Sequence, residues 1–343
     1  MQQTVRVILV GTGNMAQSHA DAYSAIEQVE VVAGVDTNAS QLKKFSDKNA
    51  IQQQFLSVED AIKWGEFDAA SIATPDGVHY QTALPLIAAD KHILCEKPLA
   101  TTFAEAAEMA EKAADKGIIH SVNLTYREVP ALQNAAKLVA AGTIGNIRHF
   151  EASYHQSWLT QSAWGDWKTE SQWLWRLSTE HGSNGVLGDV GIHILDYATF
   201  VLGGLPVSLS AQLHTFDKAP GNTIKEYKLD ANDSVVMIAQ MDNGALGTIT
   251  ATRFASGHHN DLRLRLYGDE GGLEVLFEKG VSELNGCFGD DLISANWREI
   301  ECPEVPTNYK RFIDAIRQKQ SATPDFHRGA ELQKLLDSVL NNK

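Results

Sequence analysis

The run Val5-Arg-Val-Ile-Leu-Val10 ends in Gly11-Thr-Gly13-Asn-Met-Ala16, and the residues that follow read as a helix. This order of strand, glycine loop and helix constrains the fold more than any other feature of the chain. Gly11 permits the tight turn, Gly13 lets backbone approach a pyrophosphate, and Ala16 allows the helix to lie close on the strand. The helix N-terminus, with Asn14 and Met15 completing the loop, offers amide hydrogens and a positive dipole end to phosphates. Asp36 closes the next apolar run, 20 residues after Ala16, where a carboxylate grips the adenosine ribose hydroxyls. The same carboxylate repels a ribose 2'-phosphate, so NAD is the expected coenzyme and NADP the less favoured one. Lys43 and Lys44 read as a solvated helix face.

Around this loop, short β-branched runs alternate with helical patterns, the signature of βαβ units and a parallel sheet. The runs are VRVILVG, VEVVAGVD, AASIATP, HILCEKP and IIHSVNLTY, and FAEAAEMAEKAADKG is a clear helix stopped by Gly117. GVHYQTALPLIAAD also reads as a helix, with Pro85 inside it predicting a kink or an irregular start. After Tyr126 the texture changes. The strands IRHFEASYHQ, PVSLSAQLHTF, DSVVMIAQM, ALGTITATRF, LRLRLYG and GLEVLFEKG follow one another through turn signals, which predicts a largely antiparallel sheet. One helix over 187–202 interrupts them, and the tail returns to helix. A chain of 343 residues accommodates two domains, placed at 1–125 and 126–343.

The formal charge of -14, with no clustered Lys or Arg, argues against a nucleic-acid partner. The N-terminus carries no secretory pattern, and no run approaches the ~18 apolar residues that span a membrane, so a cytoplasmic protein without membrane attachment is expected. Cys95, Cys287 and Cys302 are widely spaced, and the adjacent His258 and His259 lack a third ligand at suitable spacing. Neither disulfides nor a metal site are expected.

ATPDGVHY at 73–80, LCEKPLA at 94–100 and WRLSTEHGSNGVLGDVGIHILDYATFVLG at 175–203 together resemble the signatures of the Gfo/Idh/MocA oxidoreductases, the family of glucose-fructose oxidoreductase and inositol dehydrogenase. The resemblance implies a Rossmann domain followed by an α/β domain with a large, mostly antiparallel open sheet that serves oligomer contact, as a homodimer or homotetramer. It places Thr74, Pro75, His79, Glu96 and Lys97 with the cofactor, and Lys97, Asp189 and His193 at the reaction centre. The turn Gly182-Ser183-Asn184-Gly185 is less glycine-rich than in many relatives, which leaves the pocket wall beside the substrate open.

The chemistry suits these residue types. Oxidising a secondary alcohol needs a group to take the hydroxyl proton while hydride leaves the same carbon for the nicotinamide, and an imidazole titrates near working pH. On an ideal helix Asp189, His193 and Asp196 share one face, beside a mostly apolar stripe of Ile192, Leu195, Thr199 and Leu202 that buries the helix. Lys97 ends a parallel strand, where an ammonium stabilises a developing alkoxide, and Pro98 after it predicts a cis peptide. Trp175, Arg176 and Tyr126 join the substrate candidates. Trp158, Trp164, Trp167, Trp173 and Trp175 form either an aromatic wall for a sugar ring or a packed flap. The expected activity is hydride transfer between NAD(P) and a secondary hydroxyl or carbonyl of a sugar, cyclic polyol or derivative. A glycosidase or lyase using NAD for transient oxidation, and a sugar-sensing regulator without catalysis, are the alternatives; Lys97, Asp189 and His193 together disfavour both.

Overall fold

The computed structural model describes residues 3–341. Its elements run β1 (Val5–Val10), α1 (Asn14–Ser24), β2 (Val29–Val35), α2 (Ala39–Lys48), β3 (Gln53–Phe55), α3 (Val58–Trp64), β4 (Ala69–Ile72), α4 (His79–Ala88), β5 (His92–Cys95), α5 (Phe103–Asp115) and β6 (His120–Val122). Then come α6 (Pro130–Ala140), β7 (Ile147–Gln156), α7 (Ser171–Leu174), α8 (Ile192–Leu202), β8 (Pro206–His214), β9 (Thr223–Ile224), β10 (Tyr227–Lys228) and β11 (Ser234–Met241). The chain closes with β12 (Leu246–Thr252), β13 (Asn260–Gly268), β14 (Gly271–Glu278), β15 (Val281–Phe288), α9 (Asp291–Ser294), β16 (Arg298–Glu299), α10 (Asn308–Gln318) and α11 (Phe326–Asn341). Two compact units result, Met1–Thr125 with Pro306–Lys334, and Tyr126–Val305 with Leu335–Lys343. The segment Pro306–Lys334, assigned to the second domain on sequence, therefore packs in the first unit. There α10 buries Phe312 and Ile313 in the same apolar cluster as Val7, Leu9 and Tyr23.

The first unit is a six-stranded parallel sheet in the order β3-β2-β1-β4-β5-β6. Its central strands are covered on both faces, which is why β1, β4 and β5 are buried almost throughout instead of alternating. Strand order reverses at β1 and β4, so their C-terminal ends form the switch point at which open α/β sheets take their ligands. Side chains at the helix N-termini accept backbone N–H groups at Asn38, Ser57, Thr102 and Thr307, satisfying donors the first turns leave over. Pro85 lies within α4, and an irregular 3-10 turn over Asp76–Val78 precedes the helix.

The second unit is an eight-stranded sheet in the order β16-β15-β14-β13-β7-β12-β11-β8, antiparallel except where β7 meets β12. Alternate residues on one face, among them Phe150, Ala152, Val235, Met237, Ile249 and Leu264, are buried, and α6 and α8 pack on this unit's sheet. Neither α6, in a stretch to which the sequence assigns no element, nor β15 was expected. The helix expected across 187–202 is a π-helical turn over Leu187–Gly191 leading into α8. Nearly every side chain of α8 is buried, His193 and Asp196 included, so the helix is embedded on all sides and is not divided into a polar and an apolar stripe. Asp196 makes a buried ion pair with Arg127 at 2.6 and 2.7 Å and thereby leaves the reaction-centre face assigned to it.

Candidate active site

The glycine loop is built as its sequence demands. Gly11 has φ +85, and a Cβ there would sit 2.7 Å from the carbonyl oxygen of Ala73, so both conformation and close approach require glycine. At Gly13 a Cβ would meet nothing closer than the Gln41 side chain at 3.7 Å, which leaves room above the loop for a phosphate. Gly13 caps α1 without a side-chain acceptor, and the first turn carries no acid. That helix end accordingly has the polarity an anion needs. Asn14 and Met15 are exposed in the first turn, and Ala16 is fully buried against the sheet.

Asp36 is fixed by three hydrogen bonds: Oδ2 accepts from Thr12 N at 2.8 Å and Thr12 Oγ1 at 2.7 Å, and Oδ1 accepts from Asn38 N at 2.8 Å. The carboxylate so held belongs to the loop that carries the glycines. At the end of β4, the hydroxyl of Thr74 is buried without a partner and Pro75 is exposed. An orphaned hydroxyl, an open glycine loop and an uncapped helix end fit a dinucleotide, with Gly11, Gly13, Asn14, Met15, Asp36, Thr74 and Pro75 as the residues to hold it.

His79 and Glu96 take a different part. His79 is fully buried, with Nδ1 2.8 Å from the carbonyl oxygen of Pro98 and Nε2 2.9 Å from that of Thr74. It clasps the loops after β4 and β5 together in place of the cofactor contact expected of it. The carboxylate of Glu96 turns inward to His19 Nε2 at 2.9 Å and Asn123 Nδ2 at 2.6 Å. Burial alone works to raise this carboxyl; the bonds from His19 and Asn123, with Lys97 nearby, overcome it and hold Glu96 down at about 2. The half-buried Lys97 follows, its backbone N–H directed at Glu96 Oε2, and the Lys97-Pro98 peptide is cis.

In the second unit, Asp189 lies on the π-helical turn, a local widening frequent at functional sites. Both of its oxygens are gripped. Arg176 Nη1 donates to Oδ1 at 3.3 Å and Arg253 Nη2 to Oδ2 at 3.0 Å, while about a quarter of the side chain, 26%, stays exposed. His193 is 8% exposed and meets Tyr126 edge to face at 5.1 Å between ring centres. The hydroxyl of Tyr126, a substrate candidate on sequence, lies 2.5 Å from that of Tyr154 and accepts from Asn260 Nδ2 at 2.6 Å. Burial pushes Tyr126 up to about 12. It therefore backs His193 as a neutral phenol, with its hydroxyl committed to protein partners.

Trp158 and Trp167 are buried with Leu159, Leu174, Leu177 and Leu229 in a core of their own, against which Trp164 and Trp173 pack. These four are packing residues, and the half-buried Trp175 carries the Arg176 guanidinium over its ring at 4.7 Å. Ser183, the departure in the glycine turn, donates to the carbonyl oxygen of Arg176 at 2.6 Å and so braces that wall. Sequence reasoning missed Arg253, Thr12, His19 and Asn123. Only Arg253 left a signal, as a charge in register with the inward positions Ile249 and Ala251 of β12.

A parallel sheet with an open glycine loop at its switch point, joined in one chain to a unit presenting a carboxylate gripped by two guanidinium groups four residues before a histidine, defines an NAD-binding oxidoreductase. Residues 5–124 match the family model described as oxidoreductase family, NAD-binding Rossmann fold, and residues 132–274 match the GFO/IDH/MocA C-terminal domain. The chain belongs to the GFO/IDH/MocA oxidoreductases. Levoglucosan dehydrogenase of Pseudarthrobacter phenanthrenivorans is 29% identical over 84% of this chain and 77% of its own length. D-glucoside 3-dehydrogenase of Escherichia coli is 28% identical over 62% of this chain and 58% of its own. Among solved structures, levoglucosan dehydrogenase in complex with NADH superposes with a TM-score of 0.87 at 26% identity, covering 98% of this chain and 96% of that one.

Proposed function

We propose that this chain transfers a hydride between NAD and a secondary ring hydroxyl or carbonyl of a sugar, cyclic polyol or close derivative. One observation carries the reading. Asp189, gripped by two guanidinium groups and still partly exposed, stands on the turn that leads into α8, four residues before His193. The names of the relatives, a levoglucosan and a D-glucoside dehydrogenase, support a carbohydrate substrate.

NAD, when bound, supplies the hydride acceptor. This chain supplies the rest: His193 takes the hydroxyl proton, Asp189 accepts a hydrogen bond from the substrate, and the Lys97 ammonium stabilises the developing alkoxide and relays its proton. Held in place by Thr12 and Asn38, Asp36 favours NAD over NADP because a 2'-phosphate would meet its charge.

The outer face of the second unit's sheet presents Val236, Ile238 and Leu246 on neighbouring strands, each about half exposed. Beside them lie the ion-paired Arg265, Glu151 and Glu274. Apolar residues ringed by paired charges suit a second copy of this chain, and we assign homodimer or homotetramer contact to this face. A cytoplasmic setting accords with three unpaired thiols, Cys95, Cys287 and Cys302. Among the described residues no helix is long and apolar enough to cross a membrane.

The test is a panel of levoglucosan, methyl β-D-glucoside, D-glucose and myo-inositol, followed by NADH absorbance with NAD, and by NADH consumption with the matching keto sugars. Turnover of at least one member is expected. Sugar binding without net NADH formation or consumption would overturn the reading in favour of a sensor or of transient oxidation.

A further inference from the structure

Arg253 ends the buried side of β12, and its side chain is wholly shielded from solvent. A guanidinium in such a place needs acceptors, and two are supplied. Nη1 donates to the carbonyl oxygen of Arg176 at 3.0 Å and Nη2 to Asp189 Oδ2 at 3.0 Å, with Trp158 stacked 5.1 Å away. The same Arg176 that offers this carbonyl sends its own guanidinium to the other oxygen of Asp189. One buried cation thus fixes the main chain of the Arg176 segment and the rear oxygen of the carboxylate at once. Behind it, the fully buried Lys218–Asp233 pair closes the inner side, and the carbonyl of Asp233 accepts from Arg253 N at 3.0 Å.

We infer that Arg253 is a positioning residue for the reaction: it locks Asp189 in one orientation, so that Asp189 serves as a fixed acceptor for a substrate hydroxyl. This rests on the functional reading above. The geometry separates the two guanidinium groups by task. Arg176 is about one-third exposed; Arg253 has no exposed surface and can act on the substrate only through what it holds, Asp189 and the main chain at Arg176. Asp189 faces the guanidinium groups of Arg176 and Arg253 and lies near the Tyr126 and Tyr154 phenols, both pushed up by burial. Losing the planar fork of Arg253 therefore frees the side-chain torsions of Asp189.

The test uses the full chain, saturating NAD and the panel sugar of highest turnover. Arg253→Lys keeps the charge and loses the planar fork. It is expected to keep NAD affinity by fluorescence titration and to lower kcat about tenfold or more with KM changed less. In an Asp189→Asn background the same substitution should cost nothing further, a result that a general packing role does not give. Arg176→Lys, at a partly exposed site that tolerates change, should likewise lose its effect in that background, and serves if Arg253→Lys does not fold. A slow Asp189→Asn enzyme beside an Arg253→Lys enzyme with unaltered kcat overturns the inference and leaves the reading of the site standing. Losses that multiply in the double variants also overturn it. If Asp189→Asn turns over normally, the reading of the site falls and the inference with it.

Discussion

His19 Nε2 lies 2.9 Å from Oε1 of Glu96, with their side chains 0% and 9% exposed. The pair is the centre of a network: His19 Nδ1 is 2.7 Å from Ser71 Oγ, and Asn123 joins Glu96 to Tyr309 at 3.0 Å. Five strand and helix segments of the first unit are thereby tied at the strand end that carries Lys97. Glu96 is held at about 2 against an ordinary 4.5, and a depressed carboxyl contributes stability above its unfolded value that is lost as pH falls through its folded one. Glu96→Gln is expected to cost of order 3 kcal/mol at pH 7, at about 1.4 kcal/mol for each unit of the shift. The difference in melting temperature between the two proteins should then shrink as pH falls from 4.5 towards 2. A difference that stays constant over that interval would show that the carboxylate charge contributes nothing there.

Gly11 makes a sharper structural demand. With φ +85 and Ala73 O only 2.7 Å from any added Cβ, Gly11→Ala has to push apart the two central strands of the switch point. A loss of about 2 kcal/mol or more in urea unfolding is expected, from overpacking and a left-handed backbone together, along with weakened NAD binding. Gly13→Ala meets no such wall, and should leave stability within about 1 kcal/mol while still impairing NAD, because its role is to leave room for the ligand.

How much of this was legible beforehand follows from the range of the interactions. Gly11, Ala16 and Asp36 obey local rules of strand, turn and helix start, so their placement could be read from spacing. The six expected strands of the second unit were likewise visible, because alternation survives where one face of a sheet is buried. What escaped depends on distant partners. His79 is a clasp only because Pro98 and Thr74 bring their carbonyls to it, and the Tyr126 hydroxyl is tied to protein only because Tyr154 and Asn260 are there. Asp196 looked equivalent to Asp189 at helical spacing. A π-helical turn breaks that spacing, and Arg127, 69 residues away, claims the second carboxylate. The helix α6 begins at Pro130, where the missing N–H costs nothing.

Coenzyme choice tests the first unit alone. Asp36→Ser removes the charge that a 2'-phosphate would meet, and Thr37→Arg adds a partner for it. The double variant should lower kcat/KM with NAD and raise it with NADP, shifting their ratio by about a hundredfold or more. Thr12 and Asn38 lose their shared acceptor in these variants, so part of the fall with NAD will come from a loosened loop. Thr12→Val separates that part, since it removes one bond and keeps the charge. A wild-type enzyme that already prefers NADP, or a ratio that does not move, would refute the assignment of Asp36.

The division of labour between Lys97 and His193 gives the last prediction. Lys97→Met and His193→Ala should each retain NAD binding and lower turnover by roughly a hundredfold or more, the range for losing a positioned acid or base. The two groups act on one proton, so the double variant should fall well short of the product of the single losses. In the oxidising direction the imidazole must be neutral to accept the proton. Wild-type kcat/KM should therefore rise with pH, and this limb should vanish in His193→Ala. Tyr126→Phe supplies the contrast: it keeps the ring that meets His193 at 5.1 Å and removes only the hydroxyl bound by Tyr154 and Asn260. Its turnover should stay within about threefold of wild type, with the limb in place, because the phenol backs the imidazole and does not exchange protons with substrate. A Tyr126→Phe enzyme as slow as His193→Ala would place the phenol in the proton path and return that residue to the substrate side of the site.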